Sequence, residues 1–261
     1  MASPTPAVTA PDPAPTLWAI AILCWTTSVV LAVGDEHHAH HGADGSVGLP
    51  GPTQVAAYAA IWVVMVGAMM LPTTVPMARL LASVTARVAG SGAALLTLYA
   101  SYLAVWSGFG VLALAGDVAV LAGADRWAWL GAHRGLVLAA ALALAGGFQF
   151  TRLKDRCLTA CRDPMSMLWQ HYRRGAAGGW RLGTRHALNC LGCCWALMLL
   201  LFGTGVGSLV WMLGLTAVMV AEKTARWGTR LSAPVGAVLL VGAALTGLGA
   251  FGIGPLAGVT V

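Results

Sequence analysis

Apolar residues in this chain are gathered into seven long runs that are separated by shorter polar segments. The runs are Leu17–Val33, Gln54–Leu71, Ala93–Ala115, Gly135–Phe150, Ala187–Leu201, Leu209–Ala221 and Val235–Phe251. A helix needs about 20 apolar residues to cross the hydrocarbon core of a bilayer, and apolar flanks extend the shorter runs toward that length. The pattern predicts an all-α, polytopic transmembrane helix bundle of about seven spans, or six if the fourth run is re-entrant.

Composition supports this interpretation. Hydrophobic residues make up 58% of the 261 residues and charged residues only 9%, whereas a soluble domain carries about 25% charged residues. A cytosolic enzyme and a nucleic-acid-binding protein are therefore excluded as first interpretations, despite the net charge of +6. The expected surroundings are the lipid bilayer of the inner (plasma) membrane, which the chain would cross several times.

The positions of the basic residues predict an orientation. Thirteen of the fifteen Lys and Arg residues fall in the three segments 72–92, 151–186 and 222–234. Because basic residues concentrate in cytoplasmic segments, we expect a cytoplasmic N-terminus, an external loop over residues 34–53 and a cytoplasmic basic loop over residues 151–186. The proline-rich residues 1–15 predict a disordered tail, and residues 16–261 a single transmembrane helical domain.

Five of the six cysteines lie in two short segments. Cys190, Cys193 and Cys194 have the spacing that places them on one face of a helix, and Met198 extends that face by a turn. His186 lies one turn before Cys190 and could face the same site. Since thiols remain reduced in the cytoplasm, disulfide bonds between these cysteines are not expected. Thiolates and thioethers together favour copper(I) as a ligand, with zinc as the alternative.

Two further elements are expected to contribute to this site. Cys157 and Cys161 would share a face if their part of the basic loop is helical. The second run ends with the methionines Met65, Met69 and Met70 before Pro72 and Pro76, which should break or kink the helix.

The fifth and sixth runs are joined by a short glycine-rich segment, which predicts an antiparallel hairpin. Folding that hairpin brings Glu222 to the depth of Cys190. Carboxylates are hard ligands, so we expect Glu222 either to support the ligands without binding the metal or to accept the protons that the thiols release when metal binds. If Glu222 instead binds the metal directly, zinc becomes the better match.

The first polar segment contains a histidine cluster. His37, His38, His40 and His41 follow Asp35 and Glu36, and imidazole and carboxylate groups at this density favour Zn(II), Cu(II) or Ni(II). The sequence therefore predicts a second, external metal-contacting segment.

Four motifs together resemble a bacterial family of predicted metal-binding integral membrane proteins, a domain of unknown function. The resemblance covers about residues 54–225. It rests on Trp62-x-x-Met65 with Met69-Met70-x-Pro72, Lys154-x-x-Cys157 with Cys161-Arg162-x-Pro164, His186 with Cys190-x-Gly192-Cys193-Cys194-Trp195 and Met198, and Trp211-Met212 with Glu222-Lys223. The resemblance implies a multi-helix membrane fold and a metal site at the cysteines, but it does not supply an activity.

Three functions are compatible with these features. The favoured one is a membrane protein that transports, inserts or buffers copper(I) at a site between the second, fifth and sixth helices, with a second metal-binding subunit as a possible partner. The second is a membrane oxidoreductase, or a metal-dependent subunit of a membrane enzyme complex. The third is a structural subunit whose cysteines only pack. Metal content separates the first from the third, and redox turnover identifies the second.

Overall fold

Helices account for nearly all of the chain that the structure, a computed structural model, describes: residues 12–35, 51–86, 90–127, 129, 133, 135–204 and 208–251. Within those residues there are nine helices and no strand. They are α1 Ala14–Asp35, α2 Pro52–Thr85, α3 Ser91–Arg126, α4 Gly135–Phe148, α5 Arg152–Arg162, α6 Pro164–His171, α7 Gly175–Thr204, α8 Leu209–Thr224 and α9 Gly228–Ala250. The all-α class predicted from the sequence is therefore confirmed.

The number of helices that could cross a membrane is five or six. By length and composition, α1, α2, α3, α7 and α9 are each long and apolar enough. The helices α4 and α5 pass the same test only as a pair, and they are bent by 65° where they meet. Because α8 has just 16 residues, short of the ~20 that a straight span needs, the predicted count of seven is not confirmed.

Two prolines lie inside α2 without ending it. The helix continues from Pro52 to Thr85, so, of the break or kink expected after Leu71, the break does not occur. Proline at position 72 cannot donate a hydrogen bond to the carbonyl of Ala68. In the structure the indole N–H of Trp25, on α1, donates to that carbonyl at 3.1 Å. The neighbouring helix thus satisfies the group that the proline leaves open.

The basic segment 151–186 is largely helical, although we expected a loop. Residue Thr151 caps the start of α5 by accepting from the backbone N–H of Lys154 at 3.3 Å. Residue Asp163 caps α6 by accepting from the N–H of Ser166 at 3.0 Å. Such caps satisfy the first backbone donors of a helix, and they allow two short helices to follow one another before α7.

The start of α1 is fixed by an exposed ion pair. Asp12 accepts from the backbone N–H of Ala14 at 3.0 Å and pairs with Arg79 of α2 at 2.8 Å. The hydrogen bonds from Arg79 and Ala14 lower the pKa of Asp12 to about 2. The helix begins at Ala14, two residues before the predicted domain boundary.

The packing of α3 against α7 positions the candidate site. A side chain on Gly183 of α7 would collide with the carbonyl of Leu98 and the hydroxyl of Ser101 on α3. Small residues at such points allow two helix backbones to approach closely. This close approach brings Tyr102, one residue beyond Ser101, to the level of Cys190.

Candidate metal centre

Three buried thiols project from α7 toward neighbouring helices. Cys190, Cys193 and Cys194 are each at most 1% exposed. The thiols of Cys193 and Cys194 donate to the carbonyl oxygen of Cys190 at 3.0 Å and 2.9 Å. The three cysteines therefore lie within one turn on the buried side of α7, as their spacing predicts.

The short helix α5 adds two more thiols. Cys161 packs against the same apolar core as Cys190 and Cys193. Cys157, one turn earlier, lies against Gly192, where an added Cβ would come within 2.5 Å of its sulfur. Because this segment is helical, Cys157 and Cys161 do share a face, and that face packs on α7.

The sulfur of Cys190 is the centre of the cluster. The hydroxyl of Tyr102, on α3, lies 3.1 Å from it, and the sulfur of Met70, on α2, lies 4.0 Å from it. The ammonium of Lys223, on α8, donates to Cys190 Sγ at 3.0 Å and lies 3.7 Å from Met70 Sδ. Four helices thus converge on one thiol, which together with Cys161, Cys193, Cys194 and Met70 forms what we call the sulfur cluster.

The carboxylate of Glu222 is engaged in a separate buried network. It pairs with Lys154 Nζ at 2.7 Å, and both side chains are at most 2% exposed. The hydroxyl of Ser232 donates to its other oxygen at 3.1 Å, and the guanidinium of Arg162 donates to the carbonyls of Glu222 and Ala225. We expected Glu222 beside the thiols, but in the structure its neighbour Lys223 reaches them, because adjacent side chains on a helix diverge by about 100°.

His186 is buried beside the sulfur cluster. Its ring stacks on that of Tyr102 with centroids 5.8 Å apart. Among the described residues, neither ring nitrogen has a hydrogen-bond partner. A buried polar group without a partner is costly. The two ring nitrogens of His186 are therefore groups next to the thiols that a hydrogen-bond partner or a metal ion could use.

Of the other predicted site residues, some lie in the same core as the thiols and some lie outside the described residues. Met65, Met69 and Met198 are buried in the same apolar core as the thiols. The histidines His37, His38, His40 and His41 lie outside the described residues. Within the described part of the chain, no three His, Cys, Asp or Glu side chains already surround one point as a bound ion would require.

Two residues near the cluster were not predicted from the sequence. Tyr102 and Lys154 lie 88 and 68 positions away from the partners they contact, Cys190 and Glu222. For Lys154 a signal was present in its place in the Lys154-x-x-Cys157 motif of the family resemblance. For Tyr102 the sequence carries no signal beyond the general need of a buried phenol for a hydrogen-bond partner.

The fold and the site define a class: a bundle of long apolar helices that encloses thiols, a thioether and an ammonium group. Family comparison then gives the particular family. The model of the PpoB2 family, described as copper chaperone, matches residues 59–246, and the chain belongs to this family. Neither the comparison with curated proteins nor the comparison with solved structures found a significant match.

The matched range includes every residue of the sulfur cluster. Membership therefore supports the metal-related family that the motifs suggested, and it gives the chain a copper-related function. The copper assignment agrees with the soft character of the donors, since thiolate and thioether groups favour Cu(I).

Proposed function

We propose that the protein is a membrane-embedded copper chaperone that holds Cu(I) in the sulfur cluster and passes it on. The observation that carries the proposal is the convergence of Met70 from α2 and Lys223 from α8 on the thiol of Cys190, beside Cys193 and Cys194. Packing alone does not require four thiols and a thioether to lie together in one apolar core. Copper is the cargo here, and family membership favours this function over the oxidoreductase.

Charge balance supports a monovalent ion bound by two thiolates. A Cu(I) ion with two thiolates carries one net negative charge, which is costly to bury unless it is paired. The ammonium of Lys223, 3.0 Å from Cys190 Sγ, supplies the opposite charge. Because the carboxylate of Glu222 already pairs with Lys154, the ammonium of Lys223 is available to pair with the thiolates.

The cluster needs only small movements to take an ion. The thiols of Cys193 and Cys194 now donate to the carbonyl of Cys190, which orients them back along α7. Rotation about χ1 moves a side chain between staggered positions without moving the backbone. When metal binding removes the thiol protons, Cys193 and Cys194 no longer donate these hydrogen bonds. Their present orientation is then no longer stabilised.

The membrane placement is part of the proposal. Five helices, or six with the bent α4–α5 pair, are long and apolar enough to cross a bilayer. With the cytoplasmic N-terminus that the basic residues favour, the sulfur cluster lies near the cytoplasmic side. The histidine segment 37–41 then lies outside, where we propose that it contacts divalent metal.

The wild-type protein provides the first test. Purified in detergent under reducing conditions, it should bind one equivalent of Cu(I) in competition with a chromophoric Cu(I) chelator, and Zn(II) should not displace the copper. Soft sulfur donors favour Cu(I) over harder ions. Retention of zinc in the presence of excess Cu(I), or the absence of copper binding, would contradict the proposal.

A further inference from the structure

The sulfurs near the cluster differ in exposure in an ordered way. Cys157 and Cys161 on α5 are half-buried, whereas Cys190, Cys193 and Cys194 on α7 are buried. The outer face of α5 carries the exposed Asp155 and Arg156, and charged groups of this kind are stable only against water. The thiol of Cys157 therefore lies at the boundary between the aqueous side of α5 and the sulfur cluster.

Cys157 is also close enough to the cluster to exchange a ligand with it. Its sulfur occupies the space that a side chain at Gly192 would fill, and Gly192 directly precedes Cys193 in α7. One turn further along α5, Cys161 packs against the apolar core that contains Cys190 and Cys193. The two half-buried thiols of α5 thus lie beside the buried thiols of α7.

We propose that Cys157 is the acceptor thiol of this protein, the first sulfur to bind Cu(I) delivered by a soluble copper(I)–thiolate donor. This inference rests on the proposed function. It assigns Cys157 a role in transfer and leaves the holding of the ion to the sulfur cluster. The absence of a side chain at Gly192 is what gives Cys157 its contact with α7.

The transfer is a ligand exchange without redox change. The sulfur of Cys157 bonds to the Cu(I) of the donor complex while its thiol proton leaves to water, and the departing donor thiolate takes up a proton. Next the sulfur of Cys193 bonds to the ion and loses its proton, and the Cu–S bond to Cys157 breaks as that sulfur is protonated. The sulfur of Cys190 then replaces the remaining donor thiolate in the same way, losing its proton while the departing donor thiolate takes one up. Copper remains Cu(I) throughout, and each step exchanges one thiolate for another.

This role predicts a kinetic effect without an equilibrium one. In Cys157→Ser, loading from a copper(I)–glutathione complex, followed by stopped-flow, should slow by about tenfold or more, which corresponds to ~1.4 kcal/mol in the barrier. The equilibrium affinity for Cu(I), measured against a chromophoric chelator, should change by less than about threefold. An unchanged affinity also shows that the variant has folded.

The controls separate this inference from the proposed function. Cys24→Ser removes a half-buried thiol that lies against Gly67 of α2, and it should leave both the rate and the affinity unchanged. A Cys157→Ser protein that loads at the wild-type rate overturns the acceptor role. A parallel fall in affinity and rate also overturns it, because Cys157 is then a holding ligand. Failure of the wild type to load at all is a failure of the proposed function itself.

Discussion

A variant with serine at Cys190, Cys193 and Cys194 is expected to lose copper(I) binding. A serine hydroxyl is a hard, neutral donor and a poor ligand for Cu(I). The change removes the central thiol together with the two other buried thiols of the same turn of α7. We expect the affinity for Cu(I) to fall by at least about 100-fold, equivalent to ~2.7 kcal/mol, in the same chelator competition that is used for the wild type.

The matched control for this variant is Cys24→Ser. Cys24 is a free, half-buried cysteine like Cys161, but it lies on α1 against Gly67. Its replacement should leave the copper affinity at the wild-type value. A triple variant that binds copper as well as this control would show that the thiols of α7 serve only to pack the helices.

The second large effect is expected at the buried ion pair. Glu222→Gln leaves the ammonium of Lys154 buried without its carboxylate, at a site where both side chains are at most 2% exposed. Removing one partner of a buried pair typically costs about 3–5 kcal/mol. The free energy of unfolding, measured by denaturation in detergent and followed by helical circular dichroism, should fall by this amount.

Two comparison variants test the cause of that loss. Asp155→Asn changes an exposed carboxylate on the same helix as Lys154, and it should change stability by less than about 0.5 kcal/mol. The double variant Lys154→Met/Glu222→Gln removes the stranded charge and should recover much of the lost stability. If Glu222→Gln were as stable as Asp155→Asn, the ion pair would not hold α5 to α8.

The sequence predicted the helices better than it predicted their ends. Apolar runs identified every long helix, because hydrophobic length is a strong signal. The end of α2 was predicted wrongly, since the hydrogen bond from Trp25 to the carbonyl of Ala68 cannot be inferred from a proline alone. The segment 151–186 was predicted to be a loop because it is rich in charged residues, but it contains two short, capped helices.

The candidate site was predicted in its composition but not in its pairing. The spacing of Cys190, Cys193 and Cys194 was enough to place them together. Hairpin depth brought residues 222 and 223 to the level of Cys190, but a depth argument does not fix which side chain faces inward. The structure pairs Lys223 with Cys190 and Glu222 with Lys154. The second pair depends on how α5 folds back on α8, which periodicity does not encode.

The account rests on copper(I) being bound by sulfur in the cluster, and X-ray absorption at the copper K edge tests this most directly. Wild-type protein loaded with one equivalent of copper should show the edge of Cu(I) and a first coordination shell of about two or three sulfurs. The Cys190→Ser/Cys193→Ser/Cys194→Ser protein should lose this signal. A first shell dominated by nitrogen or oxygen in the wild type would contradict the account.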